Sequence, residues 1–584
     1  MSERWQIRAV LHVNPSGYGF ARPLSDAEDR SIFIPPGYLR GALDGDELEV
    51  VYWESEKGLE GRIEEIVARK RTRVVGILTR TGDDKWVLEV EDPRLIWPVI
   101  CPEGPGKGTP GMVVVGQIME YPHGLQPELL VRVSRTIGIA GALETEVQKI
   151  LIERQISDVF PDEVEHEAEH VPAEVREHDL ERRTDLRGLA FMTIDPPDAR
   201  DFDDAVCVEL LGDEPHNGDY RLWVAVADVA HYLHEGTAID AEARERCFST
   251  YLPDRAIPML PHQLSSHMCS LVPKQDRLAM VVSMRVNPAG ETSEFAICSA
   301  VIHSRRRLTY DEVARELEGA AQAVGELAVE HGLPVVFRVH DKPDEEKLTN
   351  LTTAAFTLGS RANPEKLLRP RGVQKFLSQI NGKAYAAALN MLMLRAMAQA
   401  QYSTDNLGHF ALASRAYVHF TSPIRRYPDV ISHRVMKAWL KRTGGACGPD
   451  PVPRMPKVSE SAEQAERSSE REREISGAER ETQSLFAAVH MRDRIGDRFE
   501  GTVTGLSPFG VFVQIDSPFV DGMVKVADIE KDRGEPYHRD ETGIRMVGAR
   551  SGKTITVGDR VVVEVVGTSV ARRQIDFFLI QQLS

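Results

Sequence analysis

"TIDPPDARDFDDA", residues 193–205, places five aspartates in the ten positions 195–204, with Arg200 alone to offset them. The stretch lies directly between two apolar runs, "FMTI" and "AVCVELL", and short apolar runs bounded by turn residues read as buried strands. A solvated loop, the commonest fate of an acidic run, seldom sits between two such strands. A calcium loop of the EF-hand kind would put Asp201 and Asp203 at its first and third positions. The required turn glycine is then Val206 and the closing glutamate is Gly212, so that reading fails. A divalent-metal catalytic site remains, built on Asp195, Asp201, Asp203 and Asp204. Spacing alone leaves it level with a structural charge network, because such networks also cluster acids.

Crowded carboxylates raise one another's pKa and repel, a cost that hard cations such as magnesium remove by sitting among their oxygens. Metal ions bridging a phosphodiester polarise it, activate a water and stabilise the leaving oxygen. A nucleic acid is at first sight the wrong partner for a chain with 89 acids, 71 Lys and Arg and a formal charge of −18. Net charge is a blunt guide, since an interior channel needs only a local basic path. Such paths exist in "ARKRTR" (68–73), "HSRRRLTY" (303–310) and "TSPIRRYPD" (421–429).

A length of 584 residues with 42% hydrophobic content exceeds one ordinary core, so three or more domains are expected. No apolar run is long enough to span a bilayer, and "MSERWQIRAV" lacks the apolar region of a secretory signal, so a cytoplasmic protein without membrane partners is expected. The six cysteines contain no C-x-x-C pair, which argues against a disulfide framework and a thiolate zinc site. They are expected to be reduced and mostly buried.

Residues 1–72 alternate short β-rich runs with turns, as a small barrel does. In "SGYGFARP", Tyr18 and Phe20 sit two apart and face one side of a strand, and with Phe33 of "IFIPP" they offer a platform on which bases can stack. Residues 73–140 form a second β-rich segment without that aromatic signature, and 141–182 read as a charged helical connector. Residues 183–494 alternate strands with helices, including "KAYAAALNMLMLRAMAQAQY" (383–402), "DVISHRVMKAWLKRT" (429–443) and a long charged helix over 460–491. Residues 495–584 return to β structure, with Phe509 and Phe512 around the turn "SPFG".

"TIDPPDARDFDDA" closely resembles the signature of the ribonuclease II/ribonuclease R family, whose catalytic module is the RNB domain. "STYLPDRAIPMLPHQLSSHMCSL" (249–271), "VFRVHDKPDEEKL" (336–348) and "YVHFTSPIRRYPDVISHR" (417–434) resemble further family segments, in family order. The layout is that of a short ribonuclease R-like member: a multidomain α/β plus all-β chain of cold-shock-type OB barrels, a central α+β RNB domain and a C-terminal S1 barrel.

The resemblance implies a processive 3′→5′ hydrolytic exoribonuclease that acts on single-stranded RNA, releases nucleoside 5′-monophosphates and depends on magnesium, with manganese as a substitute. By motif position Asp195, Asp201 and Asp204 would hold metal, and Asp203, itself among the ligands, would be the acid most critical to the chemical step. Tyr251 would clamp the 3′-terminal nucleotide, and Phe337 would wedge against bases in the channel. Arg425 would grip the scissile phosphate and Glu479 would position the terminal nucleotide. The doubled arginine leaves an alternative open, with Arg426 on the phosphate and Arg425 in a structural ion pair. His409, His419 and His433 are read as structural or RNA-positioning, because hydrolysis on metals requires no acid/base pair. Asp198 falls outside the catalytic spacing, so its removal should leave catalysis largely intact.

Two other functions fit the same residues: a non-catalytic RNA-binding adaptor that kept the scaffold, and an endonuclease using the same metals. Longer ribonuclease R members carry an N-terminal helix-turn-helix extension and a lysine-rich tail, whereas this chain opens almost at its first barrel and stops at "QIDFFLIQQLS". Duplex unwinding is therefore left out of the expectation. The resemblance suggests a monomer, and it specifies no RNA-degradation or ribosome-associated partner.

Overall fold

A computed structural model describes residues 4–24, 31–55, 58–124, 126–196, 199–212, 218–308, 318–383 and 385–583. Asp198 lies outside them. The chain divides into two compact units, one made of residues 1–156 with 569–573 and one of 157–568 with 574–584.

The first unit contains two closed five-stranded barrels. In the first, the strand Trp5–Val13 pairs with Gly19–Pro23 and Glu47–Ser55. Ala9, Leu11, Ile32, Ile34, Leu48 and Val50 point inward in strict alternation. The segment 73–140 closes into the second barrel, with the strands Met112–Glu120 and Leu129–Ile139 as its longest pair. Trp97 packs on both cores. Gly41 has φ +77°, and a Cβ there would fall 1.7 Å from the Pro122 carbonyl oxygen, so the approach of the two barrels requires glycine at this position. The helix Leu143–Glu153 ends this unit, so the connector expected over 141–182 is split between the two. The basic run "ARKRTR" is used internally: Arg69 pairs with Asp46 and Arg71 with Asp92.

The second unit is organised around a seven-stranded sheet, ordered Thr184–Asp185, Thr292–His303, Asp276–Val286, Asp219–Ala227, Asp204–Leu211, Met192–Ile194, Arg306–Leu308. Its central strands Asp276–Val286 and Asp219–Ala227 are buried along most of their length, and thirteen residues of the helix Tyr427–Thr443 are buried as well. The expected helix over 383–402 is shorter, Ala386–Ala396. Met397 is extended and Gln401–Ser403 becomes a strand paired with Phe337–Val339, so a distant pairing partner overrides helical periodicity. The helix Val458–Arg492 runs for 35 residues. It leads into a third closed barrel, made by Arg498–Leu506, Gly510–Ile515, Val520–Lys525, Arg560–Ser569 and Gln574–Leu583. The six cysteines are free, and all but the half-buried Cys298 are buried. Among the described residues no helix is long and apolar enough to cross a membrane.

Candidate active site

The acidic motif is a loop between antiparallel neighbours. Met192 lies opposite Val206, so the end of Met192–Ile194 and the start of Asp204–Leu211 come together at one edge of the sheet. Asp195 follows the first strand and Asp204 begins the second. Between them the loop is fastened from below. Ser270, fully buried, donates from its hydroxyl to the Arg200 carbonyl at 2.8 Å and accepts from the Phe202 N–H at 3.0 Å. The Phe202 ring is buried, with the Arg307 guanidinium 4.9 Å above it. With Phe202 anchored, its neighbours Asp201 and Asp203 are fixed in place. Nothing in spacing or composition marked Ser270 or Arg307 for this role: Ser270 lay inside the segment 249–271 and Arg307 in the basic run 303–310.

Asp203 is 4% exposed and joins the acidic loop to the "TSPIRRYPD" loop. Its Oδ1 accepts from the Ile424 N–H at 2.9 Å, and its Oδ2 lies 3.3 Å from the Arg425 Nε. Arg425 itself is exposed, and its Nη2 also donates to the Ser422 hydroxyl at 2.9 Å. Arg426 differs. Its Nη2 donates at 2.8 Å to Asp429 Oδ1, a wholly buried carboxylate that also accepts from the Ser422 N–H at 2.8 Å. Arg426 thus stabilises the start of the helix Tyr427–Thr443. The exposed Arg425 is the guanidinium available to a ligand.

The site is short of positive charge. Desolvation pushes the Asp195 carboxyl up to about 6 and the Asp204 carboxyl up to about 7, with Asp201 adding to the first shift and Asp195 to the second. Asp203 is raised well above the ordinary range by burial, and by Asp201 and Asp204, against the opposing Arg425. These carboxylates are the residues of the site that could hold a hard, oxygen-seeking divalent cation. Among the described residues no three acidic, His or Cys groups already converge on one point.

Tyr251, on the short strand Thr250–Tyr251, stands at the rim, 47% exposed. Its phenol is pushed up to about 12 by desolvation, with Asp201 and Asp203 adding to the shift. Glu479 is not a solvated helix-surface acid: its Oε1 accepts from the Tyr251 N–H at 2.9 Å. Phe337 is only 5% exposed, paired with Ser403 and bridged to Val418. A ring so enclosed is part of the packing beside the strand pair. His419 accepts or donates at 2.8 Å with the Tyr402 hydroxyl, and His433 contacts the Phe420 carbonyl at 2.8 Å. Burial lowers His409 to about 4 and also lowers His419 and His433, which keeps all three neutral near pH 7.

Tyr18, Phe20 and Phe33 stand with ring centroids 5.5–5.8 Å apart on the first barrel, and Phe20 is 37% exposed. On the last barrel Phe509 and Phe512 are exposed, and so is Phe519, which the sequence reading missed.

Residues 183–324 and 319–442 match the RNB domain family, 492–579 the S1 RNA binding domain and 9–66 the ribonuclease B OB domain. The chain is 31% identical to ribonuclease R of Thermotoga maritima, over 98% of this chain and 89% of the relative. It is also 31% identical to ribonuclease R of Escherichia coli, over 98% and 79%. The structure of Mycoplasma genitalium RNase R in complex with ribose methylated single-stranded RNA superposes with a TM-score of 0.85 at 23% identity, covering 98% of this chain and all of that one. The same fold occurs in yeast Ssd1, a pseudonuclease, with a TM-score of 0.74 at 15% identity, covering 93% and 81%. The chain belongs to the ribonuclease R family and is an RNA-degrading exoribonuclease of the 3′→5′ kind.

Proposed function

We propose that the chain hydrolyses single-stranded RNA processively from its 3′ end and releases nucleoside 5′-monophosphates, as a monomer in the cytoplasm. The observation that carries this reading is Asp203, a buried carboxylate held between the Ile424 N–H and Arg425 beside two carboxyls with raised pKa. An adaptor has no need of such a group. Asp195, Asp201, Asp203 and Asp204 would hold magnesium, or manganese in its place. When bound, the metal supplies Lewis acidity toward the phosphodiester and lowers the pKa of a water.

The chain's own residues do the rest. Arg425, fixed at one end by Asp203 and Ser422, presents its exposed guanidinium to the scissile phosphate, where charge builds up during in-line displacement. Tyr251 offers an exposed ring to the terminal base, and Glu479 holds the backbone that carries that ring. The histidines His419 and His433 are held by the Tyr402 hydroxyl and the Phe420 carbonyl and serve the packing around the site.

Incubation of 5′-labelled single-stranded RNA with the protein and magnesium tests this reading. The expected result is stepwise shortening with mononucleotide release, abolished by EDTA, while circular RNA stays intact. Cleavage of the circle would indicate an endonuclease, and binding without shortening an adaptor.

A further inference from the structure

The run "HSRRRLTY" holds three arginines in a row, Arg305, Arg306 and Arg307, and the fold uses them differently. Arg305 and Arg306 are exposed, whereas Arg307 is half-buried. The strand Arg306–Leu308 runs parallel to Met192–Ile194 with Arg307 opposite Thr193, so Arg307 enters beside the start of the acidic motif. The Leu308 carbonyl accepts from the Asp195 N–H at 3.1 Å, which ties the same strand to the first of the four aspartates.

The Arg307 side chain reaches two further points of the motif. Its Nη2 donates to the Pro196 carbonyl, which also accepts from the Ala199 N–H at 3.1 Å. Its guanidinium lies 4.9 Å from the centre of the buried Phe202 ring. One planar group therefore joins the residue after Asp195 to the residue between Asp201 and Asp203. A guanidinium can do both at once, since its edge donates while its face stacks. The Arg307 Nε is buried with no hydrogen-bond partner among the described residues. A buried donor left unpaired costs free energy, so Pro196 and Phe202, and not hydration, hold the side chain in place. Arg425 meets the motif at its other end, at Asp203.

We propose that Arg307 is a positioning residue for the divalent-cation site: by clasping Pro196 to Phe202 it fixes Asp195 relative to Asp201, Asp203 and Asp204, and so favours magnesium or manganese over calcium. Magnesium tolerates little departure from octahedral geometry with oxygens at about 2.0–2.1 Å, whereas calcium accepts flexible arrangements with oxygens at about 2.3–2.6 Å. An acidic loop held rigid serves the smaller ion, and a slack one admits the larger. The inference rests on the reading of the four aspartates as a metal site and adds the group that sets its geometry.

The test is a titration of the full chain with Mn²⁺, the free metal being read from its electron paramagnetic resonance signal, and Ca²⁺ affinity being obtained by competition. Arg307→Met loses both the donor and the planar face. It should weaken Mn²⁺ about tenfold, the usual scale for a residue that orients metal ligands, and Ca²⁺ by less than about threefold. Arg307→Lys can still donate to the Pro196 carbonyl and should bind Mn²⁺ within about threefold of the parent. Phe202→Leu keeps that bond, removes the ring and should weaken Mn²⁺ several-fold, which decides the matter if Arg307→Met fails to fold. RNA affinity in EDTA should stay within about twofold of the parent throughout. Tighter Mn²⁺ binding in Arg307→Met would overturn the proposal, since relief of charge repulsion alone gives that result. Equal weakening of Mn²⁺ and Ca²⁺ would overturn it as well, by showing general damage to the site. Weaker RNA binding in EDTA, with a salt slope flatter by about 0.7, would make Arg307 a phosphate ligand instead. A parent that binds no Mn²⁺ would refute the metal reading and this inference with it, whereas a parent that binds Mn²⁺ no more tightly than Arg307→Met and Phe202→Leu would overturn this inference alone.

Discussion

The backbone N–H of Tyr251 donates a 2.9 Å hydrogen bond to Oε1 of Glu479, a residue 228 positions later in the chain. The bond ties the strand bearing the rim aromatic to the long helix Val458–Arg492, so the ring's position depends on an acceptor oxygen more than on a charge. Glu479→Gln keeps that acceptor and should hold kcat/KM within about threefold. Glu479→Ala leaves the N–H without its partner and should cost about tenfold or more, as loss of a hydrogen bond to a charged group does. Equal losses for the two variants would mean that Glu479 acts through its charge.

The two adjacent arginines should separate by readout. Arg425→Ala removes a half-exposed partner of Asp203, whose raised carboxyl can take up a proton in its place, and should cost less stability than Arg426→Ala while lowering kcat by about a hundredfold or more. Arg426→Ala strands the buried Asp429 carboxylate and should cost about 3–5 kcal/mol of stability. Thermal melts alongside single-turnover rates check both. A stable Arg426→Ala protein would contradict the structural role.

The acidic site predicts a pH-dependent strain. Asp204 is pushed from its ordinary 3.8 up to about 7, so the native protein holds this proton more tightly than the unfolded chain does. Between about pH 4 and pH 7 the unfolded state therefore binds fewer protons at this group, and the group's contribution to stability falls as pH rises, then levels off. Asp204→Asn removes that penalty. In EDTA the variant should melt above the parent by a gap that widens from pH 5 to pH 8, by at least about 2 °C. Magnesium at pH 8 should raise the parent alone. A gap constant in pH would contradict the account.

How much could be read in advance depended on how local each cause is. The acidic loop was legible because one strand, one loop and the next strand follow within a dozen residues, and the apolar runs on either side gave its setting. Arg425 and Arg426 could not be told apart, because the difference lies in Asp429 and Asp203, which only folding brings to them. The burial of Phe337 was hidden for the same reason: it comes from pairing with Ser403 and Val418. The shortened helix at Ala386–Ala396 reflects that same distant strand pair. Ser270, which fastens the acidic loop from 68 residues beyond Phe202, left no trace in spacing or composition.

The central claim is that Asp203 performs chemistry and does not merely hold two loops together. Asp203→Asn separates these roles, because asparagine keeps the oxygen that accepts from the Ile424 N–H while removing the charge. The decisive measurement is the rate of mononucleotide release from labelled single-stranded RNA in magnesium, set beside RNA affinity in EDTA. The account predicts a rate lower by on the order of 10³ or more, with affinity within about threefold of the parent. Turnover retained at near the parent rate would contradict it.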